Sequence, residues 1–130
     1  MMNTFLRVVP KLALLATIIV VLAIAYLSLT PSNELPSPRL NDKINHFIAY
    51  AVLAMCAVMG RFGAKVFAVL AAVITYGFVI EALQGIMGLG RSASWLDGFA
   101  NVVGAIFGVL IALAIEKILY AATAIERPPR

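Results

Sequence analysis

Three groups of polar residues interrupt an otherwise apolar chain, and their types suit proton transfer and the gripping of anions. Asp42, Lys43, Asn45, His46 and Tyr50 open one hydrophobic segment. Glu81 and Gln84 close the next, and Arg91, Ser92, Ser94, Asp97 and Asn101 lead into the last. His46 is the only histidine, and imidazole carries protons near neutral pH. Glu81 could act as general acid or base, or orient a ligand. His46 and Glu81 are therefore the candidate catalytic groups. Arg91 with Lys43 could hold a phosphate or carboxylate, Arg through a bidentate fork. Each reading has a structural counterpart. Glu81 could be half of a buried ion pair that fixes helix register. His46 could be an amphipathic contact at the membrane interface. Arg91 and Lys43 could neutralise Glu81 and Asp97, and Asp97 and Asn101 could be a helix cap and an interhelical hydrogen bond.

Other chemistries have less behind them. One histidine among scattered carboxylates lacks HExxH or a cysteine set, so no metal and no cofactor is expected. A hard cation held by Asp42, Glu81 and Asp97 is conceivable, but no spacing requires it. Ser92 and Ser94 lie beside the cluster without a G-x-S-x-G elbow. There is no P-loop or dinucleotide fingerprint. The lone Cys56 sits mid-segment and reads as a small packing residue.

The elements that must position these residues follow from composition. The 130 residues are 63% hydrophobic and 12% charged, with a mean hydropathy of +1.02. A soluble domain of this size could not hide so much apolar surface. The net charge of +4 does not indicate nucleic acid, because the basic residues are scattered singly with no stripe or interleaved aromatics. Four apolar runs are each read as a helix, over 12–29, 44–60, 66–87 and 97–119 of a single domain, 1–130. A spanning helix needs about 20 apolar residues, and a barrel would need alternating strands. The expected fold is an all-α, polytopic four-helix membrane bundle. Arg7 and Lys11 before the first run, and Ala23-Ile24-Ala25 within it, resemble a signal peptide. The run continues through Leu29, longer than a secretory h-region of about 7–15 residues, so an uncleaved helix is expected.

Loop charges orient the bundle. Arg7, Lys11, Arg61, Lys65, Lys117, Arg127 and Arg130 share one side, against Arg39, Lys43 and Arg91 on the other. Both termini should face the cytoplasm and the polar cluster should face outward. Pro31, Pro36 and Pro38 make the first outer loop an extended strap. Ser94 is placed to cap the fourth helix, with Asp97 three residues on in the acidic capping position. Helical spacing puts Asp42, His46 and Tyr50 on one face. Glu81 lies about 10 Å below its helix end at 1.5 Å per residue. Ala100, Gly104, Gly108 and Ala112 form a small-residue ridge for close packing. Asp97 and Asn101 lie close to that arc, so the cluster should face the bundle rather than lipid.

The same residues carry a family resemblance. Asp42-Lys43-x-x-His46-Phe47-x-x-Tyr50-x-x-Leu53 resembles the opening signature of VanZ-like membrane proteins. Glu81-x-x-Gln84, then Arg91-x-x-Ser94-x-x-Asp97-x-x-x-Asn101-x-x-Gly104, resembles their second signature. That family is named for a protein associated with low-level glycopeptide resistance, and many relatives lie near envelope polysaccharide genes. The resemblance implies a cell-envelope role in the bacterial plasma (inner) membrane, and no established reaction comes with it. Three functions fit. The cluster could bind a lipid-linked glycan or glycopeptide-like ligand at the outer leaflet, through Asp42, Lys43, His46, Tyr50, Glu81, Gln84, Arg91, Ser94, Asp97 and Asn101. It could serve a small hydrolase or transferase using His46 and Glu81. It could lock a scaffold in an envelope polysaccharide complex. Membrane lipids are the expected partners, with a lipid-linked glycan, a homo-oligomer or an envelope complex beside them.

Overall fold

The computed structural model describes residues 2–31, 42–88 and 93–125. They form four helices: α1 (Met2–Leu29), α2 (Asp42–Met59), α3 (Val66–Met87) and α4 (Trp95–Ile125). Each contains a stretch long and apolar enough to cross a membrane. The protein is an all-α polytopic membrane bundle, with no strand among the described residues.

The helix ends differ from those expected in two places. α1 begins at Met2 rather than near residue 12, and α4 runs from Trp95 to Ile125 rather than over 97–119. The expected bounds followed apolarity. Arg7, Lys11, Glu116 and Lys117 end an apolar run but are good helix formers, so the backbone continues through them. Pro10 is also inside α1. It forfeits one backbone bond, which membrane helices tolerate.

α2 is central and packs most extensively on α4. The predicted small-residue ridge makes this contact. A Cβ at Gly104 would strike the Phe47 carbonyl oxygen, and one at Gly108 the Ala51 carbonyl oxygen. Only hydrogen at these positions lets two backbones come so near. Ala105 and Ala112 continue the contact, fully buried against a core that includes Tyr50, Leu53, Ala54 and Val58. The Phe47 and Phe107 rings flank it, 5.5 Å between centroids.

α1 is tied to α3 by hydrogen bonds as well as by packing. The Tyr76 hydroxyl donates to the Val21 carbonyl at 2.7 Å, and Gln84 Nε2 donates to the Ser28 carbonyl at 2.9 Å. Ser28 lies in the last turn of α1, where carbonyls lack helical partners. At the other end the α2–α3 turn is tight: Gly60 abuts the Leu14 backbone, and Phe62 and Gly63 have positive φ. Arg61 closes this end. Its Nη1 donates to the Val58 carbonyl at 2.6 Å, and both its Nη atoms reach Glu116 of α4, Nη2 at 2.9 Å. The paired carboxylate holds the guanidinium pKa above its already high value.

Candidate functional site

The start of α2, the end of α3 and the start of α4 meet at one end of the bundle. Asp42, Lys43, His46 and Tyr50 enter from α2, Glu81 from α3, and Asp97 and Asn101 from α4. His46, Tyr50, Glu81, Asp97 and Asn101 are all buried.

His46 is the hub. Its Nδ1 lies 2.9 Å from Asn101 Oδ1 and 3.7 Å from Glu81 Oε1. Both neighbours are acceptors while Glu81 is ionised, so Nδ1 carries the hydrogen, and in the neutral ring the lone pair then sits on the other nitrogen. The i, i+4 spacing of Asp97 and Asn101 sets the first beside α2 one turn nearer the surface. There Lys43 Nζ lies 3.7 Å from Asp97 Oδ1. The lysine side chain is 50% exposed and the aspartate side chain 11%.

Glu81 has two tasks. Oε2 accepts the Ser94 backbone N–H at 3.2 Å. That is the contact a capping box would take from its own helix. Glu81 of α3 takes the capping role expected of Asp97, and so joins α3 to the α4 N-terminus, where negative charge is favoured. Its other oxygen, Oε1, is buried without a hydrogen-bond partner among the described residues. So are Tyr50 Oη, Asp97 Oδ1 and Asn101 Nδ2. Gly77 supplies the space for two of these side chains: a Cβ there would lie 3.0 Å from Tyr50 Cε1 and 3.4 Å from Asn101 Nδ2. A carboxylate oxygen, a phenol and an amide with hydrogen-bonding capacity to spare, beside an imidazole, can accept and donate to a polar group or pass it a proton.

The predicted site residues thus divide. His46, Glu81, Asp97 and Asn101 come together, joined at the surface by Lys43 and through the α4 backbone by Ser94. Gln84 commits its amide nitrogen to α1. Arg91 and Ser92 lie outside the described residues, as do Arg39, Arg127, Arg130 and the strap after Pro31.

One arrangement was not expected. Asp42, His46 and Asp97 each bring one donor atom within 4.8 Å of the others. From sequence, Asp42, Glu81 and Asp97 are a conceivable cation set that no spacing requires; the structure groups His46 with the two aspartates instead, and Glu81 Oε2 accepts the Ser94 N–H. Glu116 was also missed, although an acid beside Lys117 inside the last apolar run signals a buried partner. Comparisons with protein-family models, curated proteins and solved structures return no match. The VanZ-like resemblance therefore rests on the two sequence signatures.

Proposed function

We propose that this chain is a VanZ-like cell-envelope protein of the bacterial inner membrane. On this reading both termini are cytoplasmic. The cluster binds or processes a lipid-linked glycan or glycopeptide-like ligand at the outer leaflet. The observation that carries this is the set of four buried polar atoms with unused hydrogen-bonding capacity, from three helices, around His46. Each such atom costs about 1–3 kcal/mol when left unsatisfied. A bundle that served only to hold itself together would gain by pairing them or replacing them. A ligand headgroup would satisfy them, with its apolar tail against the lipid-facing helices. The half-exposed ammonium of Lys43 gives a phosphate its first contact.

The test is binding of polyprenyl phosphate to the full chain in lipid nanodiscs. Glu81→Gln and Lys43→Ala should each weaken binding at least tenfold while leaving the folded yield within about twofold. Unchanged binding in both variants defeats the reading. A folded yield that falls in step with binding assigns the cluster to structure instead.

The separation of 3.7 Å between His46 and Glu81 favours one further reading, a small hydrolase or transferase in which these groups move the proton. Turnover of an envelope lipid that survives removal of both side chains would dismiss it.

A further inference from the structure

We propose that Asp42, His46 and Asp97 form a binding site for a divalent cation of the zinc class at the outer end of the bundle. The site stands apart from the ligand reading, because it requires only the metal.

Three observations converge on it. The first is geometry. One donor atom from each residue lies within 4.8 Å of the other two. Neighbouring ligands about 2.1 Å from a tetrahedral zinc sit roughly 3.4 Å apart, so side-chain shifts of about 1–1.5 Å complete the set. The i, i+4 pair Asp42 and His46 supplies two ligands from one face of α2, and α4 supplies the third.

The second is the state of the imidazole. A metal-bound histidine needs one nitrogen lone pair and donates its other N–H to an oxygen, which fixes the ring. His46 Nδ1 is 2.9 Å from Asn101 Oδ1, and Glu81 Oε1 stands 3.7 Å away on the same nitrogen. An amide and a carboxylate therefore hold the N–H side, and in the neutral ring the second nitrogen carries the lone pair. His46 is buried between α2, α3 and α4, so the ring is oriented in advance.

The third is Asp97. It is 92% buried, and its Oδ1 has no hydrogen-bond partner among the described residues. Lys43 Nζ lies 3.7 Å from it. That is an ion-pair separation, longer than a charge-assisted hydrogen bond. A doubly charged cation would compete for this buried carboxylate oxygen more strongly than a single ammonium at that distance. The Lys43 side chain is half exposed, at the rim of the site.

The ligand set selects the metal. One imidazole with two carboxylates suits zinc, manganese or cobalt better than magnesium or calcium, which take oxygen alone. Three protein ligands leave a fourth position for water or an incoming oxygen anion.

The experiment is isothermal titration of the full chain in detergent, free of any affinity tag, with Zn²⁺ and separately with Mg²⁺. One Zn²⁺ per chain should bind, and Mg²⁺ should not saturate in the same range. His46→Ala should weaken Zn²⁺ binding at least a hundredfold and Asp42→Asn at least tenfold. Asn101→Ala, which removes the hydrogen-bond partner of the ring but no ligand, should cost about 10–100-fold. Lys43→Ala should tighten binding severalfold, because it removes the competing charge. Asp42→Asn and Lys43→Ala lie at the rim, so they keep the test valid if His46→Ala does not fold. The inference is overturned if the wild type shows no saturable Zn²⁺ binding. It is equally overturned if Asp42→Asn titrates like the wild type, or if Lys43→Ala weakens binding.

Discussion

At the scale of single residues the site is defined by hydrogen bonds that are made and by others left open. Tyr50 is the clearest case. It is 1% exposed, its ring packs 6.3 Å from that of Tyr76, and its hydroxyl has no partner among the described residues. A buried hydroxyl with nothing to bond lowers stability, so Tyr50→Phe should unfold at the same or a higher temperature. The expected gain is up to about 1 kcal/mol. If the hydroxyl serves a ligand, the same variant should lose affinity for polyprenyl phosphate while keeping its stability. Thermal unfolding in detergent beside nanodisc binding separates the two. A lowered unfolding temperature would mean that the hydroxyl bonds a buried water in the resting protein. Sequence spacing identified Tyr50 through its face on α2. It could not show the open hydroxyl, because that depends on Gly77 of α3 making room for the ring.

At the scale of elements, the glycines of α4 are not equivalent. Gly104 and Gly108 face backbone carbonyls of α2, whereas a Cβ at Gly98 would meet only the Phe78 ring, at 3.5 Å. Backbone cannot yield as a side chain can. Gly104→Ala should destabilise the bundle by about 1–3 kcal/mol, the usual cost of overpacking. Gly98→Ala should be neutral or stabilising, since alanine is the better helix former by about 1 kcal/mol. Equal effects in a thermal unfolding series would refute the α2–α4 contact described above. The four helices and this ridge were legible in the sequence, because both follow from apolarity and from a four-residue repeat of small side chains. The ends of α1 and α4 were not, because the transition from lipid to water and the end of a helix are different events. Asp97 was expected to complete its own helix cap. That Glu81 does so instead is a tertiary fact, set by how far α3 runs beside the start of α4. The α2–α3 turn adds a prediction of its own. Arg61→Lys keeps the charge but loses the two-pronged grip on Glu116 and the bond to Val58. It should lower stability by about 1 kcal/mol, within the range for partly exposed bidentate pairs.

At the scale of the whole molecule, the outer-leaflet reading rests on which end of the bundle faces out. The cluster and the α2–α3 turn lie at opposite ends, because α2 begins with Asp42 and ends at Met59 while α3 runs back from Val66 to Glu81. Arg61 and Lys65 belong to the turn end, together with Arg7 and Lys11 on α1 and Lys117 on α4. The bias of basic residues argues that this end is cytoplasmic. α1 and α4 also run past the turn, since Gly60 meets α1 at Leu14 and Arg61 meets α4 at Glu116. Roughly 18 Å of α1 and 13 Å of α4 extend beyond those points at 1.5 Å per residue, and Arg7 and Lys11 lie on that extension of α1. Cys56 is the only cysteine, so a Cys56→Ala background permits a direct test. Ala93 lies beside the cluster, Ala64 lies in the turn, and both are exposed. A membrane-impermeant maleimide applied to intact cells should label Ala93→Cys, and it should label Ala64→Cys only after lysis. The opposite pattern would put the His46 cluster at the cytoplasmic face. That would remove outer-leaflet ligands from consideration while leaving the cation site intact, because its ligands depend on how the helices pack and not on which compartment they face.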